Sequence, residues 1–197
     1  MKKIFSLVLL LVLAGLHACK TDRSAKTIDP VSPAAIRAQL DVLRDSVDVN
    51  WRRMITSDDV QLSTTRQLLR ELAAQPGSDK AQLEKLITAN DQLKRRRYNQ
   101  QTMASSPLID AYDTAQDSVL QAVYAAARPA ASKPGSKAEQ FTESIQVLAS
   151  RVVGFRIHYD QAAKQYNNYL RLHQSDLPRL GRKYADLQPL PLFELQN

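Results

Sequence analysis

The sequence predicts an all-α protein, an elongated antiparallel bundle of three to four long helices, and three observations lead there. The first is the stretch Phe141 to His173. Its mostly apolar or aromatic residues fall at 141, 145, 148, 152, 155, 159, 162, 166, 169 and 173, an unbroken alternation of steps of four and three. That spacing lines one helix face, and over this length it asks for partner helices in the manner of a coiled coil. The second is composition. Only five glycines are present and aromatics are 6%, while the good helix formers Ala, Leu, Gln, Arg and Lys are prominent. The third is a recurring pattern of helix-start signals, serine or aspartate followed by proline or glutamate, between the apolar stripes.

Taken in order, Ser32-Pro33 offers a cap and a proline at the first helical position. Helix one is expected from about Ala34 to Ala74, with Ile36, Leu40, Leu43, Val47, Trp51 and Met54 among its apolar positions. Its periodicity weakens through Thr56 to Thr65, where poor helix formers suggest a kink or local opening. Pro76-Gly77 ends it. Helix two is expected from Lys80 to Met103, capped by Ser78 or Asp79 and carrying the basic run Lys94-Arg95-Arg96-Arg97 near its end. One or two of the four would lie over the core edge and reach outward along their aliphatic stems, and attraction to the helix C-terminus accounts for the cluster. Ser105-Ser106-Pro107 repeats the cap-then-proline signal for helix three, from Pro107 to Arg128. Helices two and three could be a turn apart or one kinked rod. Pro129 to Gly135 reads as a loop by composition. Ser136 and Glu139 form a capping box for helix four, expected to run unbroken to about Gln174. The tail after Gly181, with Leu187, Leu190, Leu192 and Phe193 to bury, is expected to pack as an extended cap over one bundle end.

The N-terminus divides the chain further. Lys2 and Lys3 precede an apolar run from Ile4 to Leu16, too short for a comfortable membrane span of roughly 20 residues. Small residues then precede Cys19, the single cysteine. This is the pattern of an export signal. Leu16-His17-Ala18-Cys19 resembles a bacterial lipoprotein signal, which implies lipid attachment at Cys19 and a mature chain beginning there. The expected organisation is a signal peptide at 1–18, a flexible polar tether at 19–33 and a helical domain with an extended tail at 34–197. Each buried acyl methylene contributes about 0.8 kcal/mol, so several chains anchor stably. The net charge of +7 falls to +5 without Lys2 and Lys3. That charge suits an acidic membrane surface and argues only weakly for nucleic acid, which is not expected as a partner.

Known catalytic signatures are missing from the sequence: no phosphate-binding glycine loop, HExxH, paired CxxC or nucleophile elbow. His158 and His173 stand about 22 Å apart on one helix by rise per residue, too far to share a metal. No Glu-x-x-His pair of the kind used by di-metal bundles occurs. Asp58-Asp59, and Asp110 with Asp113, could meet a cation, although caps and surface roles are commoner for such residues. Neither a metal nor another cofactor is expected. Tyr159, Tyr166 and Tyr169 lie on or near the buried stripe, where their hydroxyls need partners. Arg156, Asp160, Asn167 and Asn168 are nearby, and the group either sets the bundle register or lines a groove for a partner.

At these residues the sequence resembles the LemA family of bacterial envelope proteins. Arg156 and Tyr159 match the first part of that family's C-terminal helix motif, Tyr166-Asn167 the second, and Phe193-Glu194 its closing element. Asp160 stands where asparagine is usual, and His173-Gln174 replaces a Phe-Pro. The specific similarity covers about 40 residues, and this chain has a lipoprotein-type signal where the family's common form keeps a membrane helix. The resemblance implies an extracytoplasmic helical domain anchored at a membrane, with no catalytic residues to carry over. The expected function is a non-catalytic interaction or scaffold module in the cell envelope, not an enzyme. It would be tethered through acylated Cys19 to membrane lipid, at the outer membrane facing the periplasm in preference to the inner, and bound to an unidentified envelope protein. A periplasmic holdase chaperone is the alternative, and it requires open apolar surface.

Overall fold

The structure, a computed structural model, describes residues 32–193. The signal segment, Cys19 and most of the expected tether fall outside the described residues, as does Glu194. Helix α1 (Pro33–Ala73) leads to α2 (Lys80–Arg96), α3 (Ser106–Ala131), α4 (Lys137–Ser150), α5 (Val152–Leu172) and the one-turn α6 (Arg182–Ala185). Short 3-10 turns at Thr102–Ala104 and Leu177–Arg179 interrupt the connections. No strand occurs among the described residues, and the expected all-α bundle is what the chain forms.

The long first helix is the spine. It has 41 residues, about 61 Å at 1.5 Å per residue, and it touches α2, α3, α4 and α5 in turn. Its start follows from chemistry at Ser32, whose hydroxyl accepts a hydrogen bond from Ala35 N–H at 3.2 Å while Pro33 occupies the first turn. It stops before Gly77, whose φ of +76° turns the chain back.

Two apolar cores lie along this spine. One surrounds Leu68, Leu69 and Leu72 of α1, with Leu83 and Ile87 of α2, Val123 and Ala127 of α3 and Ile145 of α4. The other surrounds Ile36, Leu40, Val47 and Met54 of α1, with Tyr98, Tyr112, Tyr159, Tyr166 and Leu170, and includes Leu177, Leu180 and Tyr184 from the C-terminal turns. Helix α4 thus serves one core and α5 the other.

Five sequence expectations need correction. The region Thr56 to Thr65 does not open: α1 is continuous there. Thr64 and Thr65 turn their hydroxyls back onto Val60 and Gln61 carbonyls at 2.8 and 2.9 Å, and Asp58 is held by partners from other elements. The break falls instead in the expected fourth helix, at Arg151 between α4 and α5. There the Arg151 N–H bonds Leu148 O at 3.2 Å, one residue short of the α pattern. Ser150 bonds Val147 O at 2.8 Å, and Val152, Val153 and Gly154 follow, all poor helix formers. Helix α2 ends at Arg96 rather than Met103, because Arg97 goes extended and Asn99 Oδ1 accepts from the Gln101 and Thr102 N–H groups. This separates α2 from α3 and settles that they are not one rod.

Helix α3 runs three residues beyond Arg128, through Pro129. Pro129 forgoes its own N–H bond to the carbonyl four residues upstream, and the burial of Ala130 in the core favours carrying the helix past it. The caps divide as well. Asp79 rather than Ser78 caps α2, accepting from Gln82 N–H at 3.0 Å, and Ser105 makes no side-chain cap bond. Only half of the Ser136 capping box forms: Ser136 Oγ accepts from Glu139 N–H, while Glu139 accepts from Gly135 N–H instead of Ser136.

Leu68 is fully buried and Val42 is 61% exposed, which makes a clean contrast. Leu68→Ala should cost about 2–5 kcal/mol through lost burial and a residual cavity. Val42→Ala should stay within about 0.5 kcal/mol of the parent. Urea denaturation followed by circular dichroism reads both values.

Candidate functional site

The four residues singled out on α5 do not act together at one point, but three of them meet the C-terminal tail. Asn167, half-buried on the inner face of α5, pairs with the main chain of Leu190 in both directions. Its Nδ2 donates to Leu190 O at 2.8 Å, and its Oδ1 accepts from Leu190 N–H at 2.7 Å. About two turns toward the helix start, Tyr159 Oη donates to Pro191 O at 3.2 Å. Asp160 Oδ1 accepts from Phe193 N–H at 2.9 Å. Asp160 thereby supplies an acceptor for the tail.

These bonds seat Phe193 in an aromatic box. Its ring stacks on Trp51 at 6.5 Å and 15° and meets Tyr98 and Tyr159 edge-on at 5.8 and 5.6 Å. Trp51 also meets Tyr159 at 5.5 Å. The Arg156 guanidinium lies 5.2 Å from the Phe193 ring centroid, a cation–π distance. Tyr166 sits elsewhere. It is buried against Arg44, whose guanidinium lies 5.9 Å from the tyrosine ring centroid. There it forms one wall of a cavity of about 310 Å³ shared with Leu40, Asp41 and Tyr184. The C-terminal turn is fastened beside it through Asp41, which accepts from Lys183 Nζ and Tyr184 Oη, both at 2.8 Å. Those bonds, Lys183's first, hold the Asp41 carboxyl below the usual carboxylate range.

Inside the core that holds Met54, Leu62, Tyr98 and Tyr112 lies a polar belt that the sequence did not reveal. Asp58 of α1 receives Tyr112 Oη at 2.7 Å, Gln116 Nε2 at 2.9 Å and the Arg97 guanidinium. Arg97 also donates to Asp59 at 3.0 Å. Arg97 and Asp58 side chains are only 12% and 15% exposed, so Arg97 turns inward instead of reaching outward past the core edge. Next to them, Arg156 forks onto both oxygens of Asp113 at 2.9 and 2.7 Å and donates to Tyr98 Oη at 3.2 Å. Burial works against the charge of Arg97 and Arg156. The aspartate hydrogen bonds outweigh it and raise both guanidinium pKa values.

The pairing had a detectable signal. Asp58 and Arg97 stand about equally far on either side of Pro76-Gly77, as cross-hairpin neighbours in two antiparallel helices would. Asp58-Asp59 and Asp113 do meet cations, but those cations are arginine and lysine side chains. Asp110 is exposed.

Chemically the belt is largely closed on itself. Each bond named here joins a donor to an acceptor inside the fold, although the buried Arg156 Nε makes no hydrogen bond, and the gap among Asp58, Tyr98, Tyr112 and Arg156 measures about 30 Å³, room for a water or two. Among the described residues, no three His, Cys, Asp or Glu side chains converge as a metal site. His158 is exposed, and His173 ends α5 with Nδ1 3.1 Å from Asp176. Also among the described residues, no helix is long and apolar enough to cross a membrane. No family model, curated protein or solved structure matches this chain.

Removing one side of the central pair strands the other in the interior. Arg97→Ala should therefore destabilise the fold by about 3–5 kcal/mol, well beyond a surface ion pair. Chemical denaturation against an Arg95→Ala control measures the difference.

The buried phenols give a second expectation. Burial pushes Tyr159 up to about 12 from an ordinary value of 10.0 and raises Tyr98 and Tyr166 as well. Phenolate forms more readily in the unfolded chain. The stability these groups contribute is thus complete below about pH 10 and is lost as pH rises toward about 12. Loss of helical circular dichroism should coincide with the rise in phenolate absorbance. Tyrosines titrating while helix content holds would contradict this.

Proposed function

We propose that the chain is a membrane-anchored, extracytoplasmic helical-bundle lipoprotein of the LemA-like type, working as a non-catalytic interaction or scaffold module in the cell envelope. One observation carries the non-catalytic part. The polar groups that converge inside the bundle are consumed by one another around a space too small for a substrate. A general base or nucleophile needs an open side facing a reacting atom, and Asp58 has Arg97, Tyr112 and Gln116 around it. The anchoring part rests on Cys19 and the export-type segment before it, and the LemA likeness on Arg156, Tyr159, Tyr166-Asn167 and Phe193-Glu194. The module would stand on the outer membrane, facing the periplasm, and present its helices to an envelope protein.

The holdase reading needs apolar surface open to unfolded clients. All ten residues of the stripe from Phe141 to His173 are buried or half-buried, and the ends of both cores are closed by chain turns. The observation favours the scaffold over the chaperone.

Two measurements in cells test the proposal. The wild-type chain should incorporate labelled fatty acid and fractionate with membranes, and Cys19→Ala should lose the label and move to the soluble envelope fraction. Photocrosslinking from exposed α5 positions such as Ile157 should then capture a defined protein partner. A Cys19→Ala chain that stays in the membrane would defeat the lipid anchor, and crosslinking that recovers no partner would defeat the scaffold.

A further inference from the structure

We infer that the face of α5 and α1 around Asn167, Tyr159 and Trp51 is a binding groove for an extended, proline-rich peptide ending in an aromatic residue, filled here by the chain's own tail. The inference deepens the interaction-module reading by naming the chemistry of the partner, and it rests on that reading for its place in the cell.

The tail is bound the way a ligand is bound. Leu187 to Phe193 reads Leu-Gln-Pro-Leu-Pro-Leu-Phe, and it has no regular structure apart from a bend at Phe193. Pro189 and Pro191 hold their preceding residues extended and lower the entropy of seating the strand. Its main chain is met by side chains at four points: twice by Asn167 at Leu190, once by Tyr159 at Pro191, and once by Asp160 at Phe193. A two-way amide pairing reads backbone and is indifferent to the side chain at that position. Leu187, Leu190 and Leu192 pack against the core, and the last residue is read by shape in a box of Trp51, Tyr98 and Tyr159 under the Arg156 cation. Backbone reading plus an aromatic-lined slot is the physics of proline-rich peptide recognition.

The walls are independent of the tail. Trp51 belongs to α1, Tyr98 to the segment after α2, and Tyr159, Asp160 and Asn167 to α5. Arg156 is fixed from behind by its fork onto Asp113. The groove therefore keeps its donors and acceptors in place when the tail leaves. While attached, the tail has the advantage of a high effective concentration, so a partner peptide must outcompete it or find it weakened.

The test uses the full-length chain in detergent and a fluorescein-labelled peptide of the sequence 187–193, read by fluorescence anisotropy. Phe193→Ala weakens the resident tail and should raise the affinity for added peptide by about tenfold or more over wild type, the scale of the ring contacts removed. Adding Asn167→Ala to Phe193→Ala should lower affinity by about tenfold, as should alanine in place of the peptide's phenylalanine. A folded Phe193→Ala chain that binds no peptide, or binds it equally with Asn167→Ala, overturns the inference. Should Phe193→Ala fail to fold, hydrogen exchange on the wild type decides. The Leu190 and Phe193 amides should exchange far faster than those of α1, and exchange of these two only with global unfolding would make the tail a permanent part of the core. Crosslinks from α5 that capture a partner while the peptide fails to bind would sink the groove and leave the scaffold standing.

Discussion

A carboxylate placed midway along the longest helix constrains everything that packs around it. Asp58 sits within the core that holds Met54 and Leu62, beside Tyr98 and Tyr112, and a buried charge without partners costs several kcal/mol. The segment after α2 must bring Arg97 to it, and α3 must bring Tyr112 and Gln116. Slipping either element by one helical turn, 5.4 Å, would carry those groups beyond hydrogen-bond reach. Apolar stripes alone tolerate such slips, since leucine against leucine is much the same one turn along. The polar belt is what distinguishes the registers, and Asn90, donating to Leu62 O at 3.0 Å, adds a further fixed point between α1 and α2.

Much of the fold was legible because its causes are local. Ser32-Pro33, Gly77 and the 3.6-residue stripes act within one or two turns, and the helices begin and end near where those signals lie. The misreadings come from the opposite situation. Thr56 to Thr65 looks weak by propensity, yet contacts from α3 and the Arg97 segment keep it helical. The stripe through Arg151 reports only that 148 and 152 lie on one side, where both line the gap beside Asp58, and this stays true across a tightened turn, so it hides the break. Pro129 reads as a terminator but tolerates two more helical residues, because Ala130 has a core to enter.

The site was legible in its parts and not in its assembly. Arg156, Tyr159 and Asn167 stand out as polar groups on a buried face, and the tail stands out as apolar residues spaced by prolines. That one should hold the other follows from side-chain-to-main-chain bonds, which depend on no residue type at Leu190 or Pro191 and so leave no mark in the sequence there. Trp51 was noted only as one apolar position among many. The same holds for Arg97, lost in a run of four cations until the hairpin folds its end onto Asp58.

The turn at Arg151 has a consequence for how the molecule comes apart. Helix α4 belongs to one core and α5 to the other, whereas α1, α2 and α3 each contribute buried apolar residues to both. Cooperative units in proteins follow such boundaries. The end built on Gly77 and Gly135 can then lose its packing as a block, with α1 shortening from its C-terminal half, while the end that holds the aromatic box stays assembled. An elongated molecule of this kind has two local stabilities, and the three helices shared by both cores set how strongly one half senses the melting of the other.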